Sequence, residues 1–87
     1  MLKISEIKPT TRNVALKLEG RVVGPWVAEL RQICEPLLSG GGRIELELTD
    51  VSFADEQGVN LLTSLKKQGA RLLNAPPFVE EQLRRSN

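Results

Sequence analysis

Between Arg43 and Val51 the chain reads R-I-E-L-E-L-T-D-V, with Ile44, Leu46 and Leu48 alternating against Glu45, Glu47 and Thr49. Successive side chains of a strand point to opposite faces of its sheet, so this segment has an apolar face and an acid-bearing one. A parallel strand held between two helical layers reads instead as an unbroken apolar run. Any helices must therefore gather on the side of Ile44, Leu46 and Leu48, and the opposite side is left to water. Asn13 to Gly20 repeats the pattern, with Val14, Leu16 and Leu18 set against Ala15, Lys17 and Glu19.

The remaining segments fit around these strands. Leu2 to Ile7 is a short strand, and the polar loop Lys8-Pro9-Thr10-Thr11-Arg12 turns it into an antiparallel hairpin with the next one. Gly24-Pro25 opens a helix, because proline at an early position gives up an N–H that has no helical partner anyway. Trp26, Val27, Leu30, Ile33, Cys34, Leu37 and Leu38 recur at three- and four-residue steps and give that helix one broad inner stripe. Pro36 removes a hydrogen bond to the Gln32 carbonyl and is expected to bend or stop the helix before Ser39-Gly40-Gly41-Gly42. A second helix spans 55 to 68, with Asp55 as N-cap, Leu61, Leu62 and Leu65 inside, and Gly69 as its stop. Ala70 to Asn74 is a fourth strand. Pro76-Pro77 begins a third helix with Phe78, Val79 and Leu83 inward, and Glu80–Arg84 and Glu81–Arg85 paired at four-residue spacing. The order β-β-α-β-α-β-α predicts an α/β fold: one small domain over residues 1–87, a mixed sheet of about four strands, helices packed on one face.

Composition then narrows the chemistry. The chain has 87 residues and a formal net charge of +1, which gives no electrostatic reason to expect nucleic acid or an anionic membrane as partner. Its longest apolar runs are far short of the ~20 residues that cross a bilayer, and no basic segment with an apolar h-region follows Met1, so a cytoplasmic protein is expected, without membrane insertion. A single cysteine, Cys34, has no internal disulfide partner. Histidine and tyrosine are absent, which removes the usual neutral-pH base, the Ser–His and Cys–His nucleophile pairs and the commonest zinc ligand. No enzyme, metal site or cofactor is expected.

What remains is the junction S-F-A-D-E-Q-G-V-N, Ser52 to Asn60, where a strand runs into a helix. In open α/β sheets the loops at the carboxyl ends of the strands are where ligands and partners meet the fold. Capping accounts for Asp55, and the helix dipole favours the charge of Glu56. Neither accounts for Gly58: glycine in a first helical turn costs about 0.5–1 kcal/mol relative to alanine. A packing constraint or the close approach of another backbone is the natural reason. Trp26 begins the first helix beside the same edge, and tryptophan is favoured in binding hot spots. Ser39-Gly40-Gly41-Gly42 follows a helix and lacks the spacing of a phosphate-binding loop. Cys34, on an apolar stripe, reads as a core filler.

The stretch I-E-L-E-L-T-D-V-S-F-A-D-E-Q-G-V-N-L-L resembles the central segment of the STAS domain family, the sulphate transporter and anti-sigma factor antagonist domains. There a strand of the form apolar-x-Leu-x-x-Val-x-Phe runs into Asp-Ser-Ser-Gly and an apolar helix. L-K-L-E-G-R-V-V-G-P-W-V-A-E-L is similar to the family's strand, Gly-Arg turn and start of its first helix, and G-A-R-L-L-N-A-P-P-F-V-E-E-Q-L to its next strand and helix. The likeness covers roughly residues 13 to 83.

The resemblance implies a protein-interaction module that docks a partner through Asp55, Glu56, Gln57 and Gly58, with Trp26 beside them. In the family's antagonists an anti-sigma kinase binds this loop and phosphorylates the first serine of Asp-Ser-Ser-Gly. Here Asp55 and Gly58 are kept, Glu56 stands at the phosphorylated position, and Gln57 replaces the second serine. A carboxylate accepts no phosphate, so the switch is expected to be absent at this loop. Glu56 supplies one negative charge where phosphoserine supplies about −1.5 to −2. Thr49 and Ser52 are the nearby hydroxyls open to modification, although short polar residues near strand ends are ordinary turn formers. The resemblance implies as partner a regulatory protein, an anti-sigma or sensor-type kinase. Its alternatives are the ATPase of a lipid transporter, with this chain as a small regulatory subunit, and nucleotide binding at the same edge. The helix between Gly58 and Gly69 is shorter than is usual in that family, which leaves apolar surface for a partner or a second copy in a homodimer.

Overall fold

The computed structural model describes residues 2–7 and 13–85, so the expected loop at 8–12 lies outside the described residues. Its elements are β1 (Leu2–Glu6), β2 (Asn13–Val22), α1 (Pro25–Ser39), β3 (Arg43–Ala54), α2 (Glu56–Lys67), β4 (Arg71–Leu73) and α3 (Pro77–Arg85). The sheet has the order β1-β2-β3-β4. β1 runs antiparallel to β2, and β2, β3 and β4 run parallel, joined by α1 and α2.

The alternation decides the layering as expected. Leu16 and Leu18 from β2, with Ile44, Leu46 and Leu48 from β3, are buried against Val27, Leu30 and Cys34 of α1 and Leu61, Leu62 and Leu65 of α2. No polar or charged side chain is buried among the described residues. The opposite face carries cross-strand charge pairs: Lys17 Nζ lies 3.2 Å from Asp50, and Arg71 lies 3.5 Å from Glu45, its direct register partner. Glu47 accepts hydrogen bonds from Thr49 and, at 2.9 Å, from the amide of Asn74. Among the described residues no helix is long and apolar enough to cross a membrane.

Both central strands extend past their expected ends. Two irregularities in the β2–β3 ladder each give β3 one residue more than β2 uses. Each extra residue shifts the pleat, so the inward set passes from Leu48 to Val51 and then to Ala54 at steps of three rather than two. β3 therefore reaches Ala54, not Val51, and turns Phe53 out to the open face beside Arg21, its register partner.

α1 runs through Pro36 to Ser39, so the proline does not stop it, and it ends at the Ser39-Gly40-Gly41-Gly42 stretch expected to release the chain. Only one turn follows Pro36, and the backbone N–H groups of Gly40, Gly41 and Gly42 satisfy the carbonyls of Pro36, Leu38 and Leu37 at 3.1, 3.1 and 2.9 Å. The lost N–H of Pro36 is thus followed at once by a well-bonded helix end.

α3 corrects a second expectation. Val79 is fully buried, but Phe78 is 59% exposed instead of facing inward. Adjacent helical residues diverge by about 100°, so only one of the two enters the core. Phe78 instead stacks on Phe53, with ring centroids 6.2 Å apart. β4 pairs with β3 only from Glu45 to Glu47, so it leaves the upper edge of β3 uncovered. α3 occupies that place. The side-chain amide of Gln82 accepts from Ala54 N–H at 3.3 Å and donates to the Ala54 carbonyl at 2.7 Å, as a neighbouring strand would.

Candidate functional site

The carboxyl edge of the sheet is built where β2 and β3 end side by side. Asp55 leaves β3 in an extended conformation, and its N–H donates to the Val22 carbonyl at 3.2 Å. Its carboxylate is shared between two chain segments. Oδ1 accepts from Gly58 N–H at 2.7 Å, the N-cap bond expected from sequence, while Oδ2 accepts from Gly24 N–H at 3.0 Å, across the gap to the β2–α1 turn. Gly24 adopts φ +55°, a conformation open to glycine without strain. These two N–H groups, Gly24 first, hold the Asp55 carboxyl below its ordinary range.

Gly58 is buried, and the reason is backbone approach. A Cβ at this position would lie 2.2 Å from the Val22 carbonyl oxygen. The first turn of α2 therefore rests directly on the end of β2, and a residue with any side chain would push the two apart. Asp55 and Gly58 together weld the β2–α1 turn to the start of α2, and both are occupied within the fold.

Glu56 and Gln57 stand outside this weld. Both are exposed on the first turn of α2, with Glu56 where the helix dipole favours an anion. Trp26 is half-buried and packs against the core from the first turn of α1. The five residues singled out in sequence thus fall at one edge in three roles. Asp55 and Gly58 fix the turn, Glu56 and Gln57 present side chains to solvent, and Trp26 is divided between core and surface. Thr49 and Ser52 are also exposed; Thr49 hydrogen-bonds Glu47, and the Ser52 hydroxyl donates to the Gly20 carbonyl at 3.3 Å.

Sequence reasoning missed Gln82, whose amide closes the end of β3, and Arg21, whose guanidinium lies over the Phe53 ring at 5.4 Å from its centroid. Gln82 carried a signal: it shares a helical stripe with Val79 and Leu83, and a polar residue on an inner stripe asks for a partner. Elsewhere among the described residues the surface is grooved. A groove of about 510 Å³ runs past Thr63, Lys66, Asn74 and Arg84, and one of about 690 Å³ lies at the far end of the sheet near Leu38, Gly41, Arg43 and Arg71. Glu80 is the carboxylate of the first and Glu45 of the second, so neither is lined by a converging acid pair. No cluster of three or more Cys, Asp or Glu suited to a metal occurs among the described residues.

No protein-family model matches this chain, and no curated protein sequence matches it. Solved structures do. The chain is similar to the anti-sigma factor antagonist SpoIIAA in its unphosphorylated form, with a TM-score of 0.76 and 21% identity, covering 94% of this chain and 82% of that one. It is similar to the Bacillus cell fate determinant SpoIIAA in the phosphorylated form, with a TM-score of 0.77 and 20% identity, covering 98% and 84%. At that identity the likeness is one of architecture, and the architecture is unambiguous: four strands and three helices in the arrangement of SpoIIAA, a STAS-like α/β fold.

Proposed function

We propose that residues 1–87 act as one STAS-like module of the anti-sigma factor antagonist kind, non-catalytic and cytoplasmic, whose partner grips the turn of Glu56 and Gln57. The observation that carries this reading is the contrast within a single turn. Asp55 and Gly58 spend their groups on internal bonds and backbone packing, while Glu56 and Gln57 between them reach solvent. A rigid turn that presents two polar side chains lowers the ordering cost of association, which is how preorganised surfaces gain affinity. The SpoIIAA fold supports the kind of partner, a regulatory protein such as an anti-sigma or sensor-type kinase.

Glu56 makes this module differ from a phosphorylation-switched antagonist. It offers a fixed charge at the position that the resemblance gives to the phosphorylated serine, and no phosphate acceptor. A permanent charge suits a constitutive contact, and this favours as second reading a small regulatory subunit bound to a transporter ATPase.

The test is a pull-down with an anti-sigma or sensor-type kinase and, separately, a transporter ATPase, comparing the wild type with Glu56→Ser and Glu56→Lys. Recovery that falls with Glu56→Lys supports the reading, and the identity of the protein recovered separates its two forms. Equal recovery by all three places the contact elsewhere. Titration with ATP and GTP addresses nucleotide binding at the same edge, which absent or millimolar affinity removes.

A further inference from the structure

The chain has one tryptophan and two phenylalanines, and all of them stand at the carboxyl edge of the sheet. Trp26 is turned partly into the core. Phe53 is turned to the face that no helix covers, the face that carries the Lys17–Asp50 and Arg71–Glu45 pairs, and Phe78 stacks on it. Phe78 is the most exposed large apolar residue described, although Val79 next to it is fully buried.

Arg21 completes the group. Its guanidinium lies over the Phe53 ring. On the same face Lys17 is paired with Asp50 and Arg71 with Glu45, but no carboxylate among the described residues lies within ion-pair reach of Arg21. A guanidinium resting on a ring keeps its in-plane N–H donors directed outward, and its fork matches a carboxylate. Beside it the stacked rings offer apolar area at low cost in side-chain entropy.

We propose that Arg21, Phe53 and Phe78 form a docking surface for a segment of a partner protein that carries a carboxylate next to an aromatic or aliphatic side chain. The carboxylate pairs with the Arg21 guanidinium, and the apolar side chain covers the exposed ring of Phe78. The surface extends the interface proposed above, since Phe53 lies three residues before Glu56, and to that extent it rests on that reading. It adds a chemical class of partner segment that the Glu56 turn alone does not specify. A lone guanidinium suits one carboxylate rather than the run of phosphates of a nucleic acid, because Lys17 and Arg71 on the same face are already held by Asp50 and Glu45.

The test is selection of binders from a random dodecapeptide phage library against the intact chain, followed by affinity measurement on wild type, Arg21→Gln, Phe78→Ser and Glu56→Lys. Circular dichroism and urea midpoints establish that each variant is folded, which the exposure of all three positions predicts. The expected consensus holds Asp or Glu beside an aromatic or aliphatic residue, and Arg21→Gln and Phe78→Ser each weaken the selected peptides about tenfold or more. Failure to select binders, a consensus without acids, or binding indifferent to Arg21→Gln overturns the proposal. So does sedimentation of the wild type as a dimer that Phe78→Ser dissolves, since a second copy would then be the occupant. The two readings separate in the pull-down: loss with Arg21→Gln but not Glu56→Lys retains this surface and removes the turn, and the reverse retains the turn and removes this surface.

Discussion

Replacing Gly58 with alanine tests the architecture of the junction, because two effects of opposite sign compete there. In an unconstrained helix the change is favourable by about 0.5–1 kcal/mol, since glycine loses more backbone entropy on folding. Here the new methyl group would sit 2.2 Å from the Val22 carbonyl oxygen and 3.2 Å from the carbonyl carbon and from Cγ1. Carbon–oxygen contacts settle near ~3.3 Å, so α2 and the end of β2 must part by about 1 Å. That displacement strains the bonds that cross the same gap, Asp55 N–H to the Val22 carbonyl and Gly24 N–H to Asp55 Oδ2. Overpacking of this kind costs about 1–3 kcal/mol, and partial loss of the cap adds to it. After subtraction of the helical gain, the net expectation is a loss of about 1–3 kcal/mol. For a domain of this size that lowers Tm by roughly 4–24 °C. Urea titration followed by circular dichroism reads the change as a lower midpoint at unchanged slope. An unchanged or higher Tm would mean that propensity prevails and that Val22 does not press on α2.

Asp55→Asn keeps the size of the side chain but sets an amide against an N–H, and is expected to cost about 1–2 kcal/mol at neutral pH. The folded state holds the Asp55 carboxyl below its ordinary 3.8, so the stability it gives is complete above that value and disappears as pH falls through the lower folded value. The difference in urea midpoint between wild type and Asp55→Asn must therefore shrink on acidification below about pH 4, and a difference independent of pH would be evidence against the shared carboxylate. Gln82→Ala strips both partners from the Ala54 backbone and is expected to cost about 1–2 kcal/mol, with faster amide exchange at Ala54 than at Leu46; unaltered exchange would mean that water serves as well. Burial pushes the Cys34 thiol up to about 11, aided by the charge of Glu35, so Ellman's reagent should label it slowly in native buffer and rapidly in urea beyond the midpoint. Immediate labelling of the native chain would show that α1 leaves the thiol open.

The sequence displayed its layers through Ile44, Leu46 and Leu48, because alternation is a local consequence of the pleat and survives any packing. Asp55 as N-cap was equally legible, since capping involves only residues a turn apart. The occupant of the space around Gly58 was not. The anomaly of a glycine in a first turn pointed to a close approach, but Val22 is distant in sequence and only the β2–β3 register brings its carbonyl there. For the same reason the outward turn of Phe78 is not legible locally: adjacent apolar residues on a helix both look inward until a neighbour such as Phe53 supplies an outer partner. The continuation of β3 beyond Val51 was hidden by its irregularities, which replace steps of two with steps of three and imitate the end of a strand.

Chemical-shift mapping on the isotope-labelled chain tests the central claim most directly, with the protein recovered in the pull-down as titrant. Glu56 and Gln57 are expected to move first and furthest, with changes spreading to Phe53 and Trp26 and leaving the far end of the sheet around Gly41 and Gly69 unchanged. Perturbations centred on that far end, or on the exposed side of α1, with Glu56 and Gln57 unmoved, would contradict it.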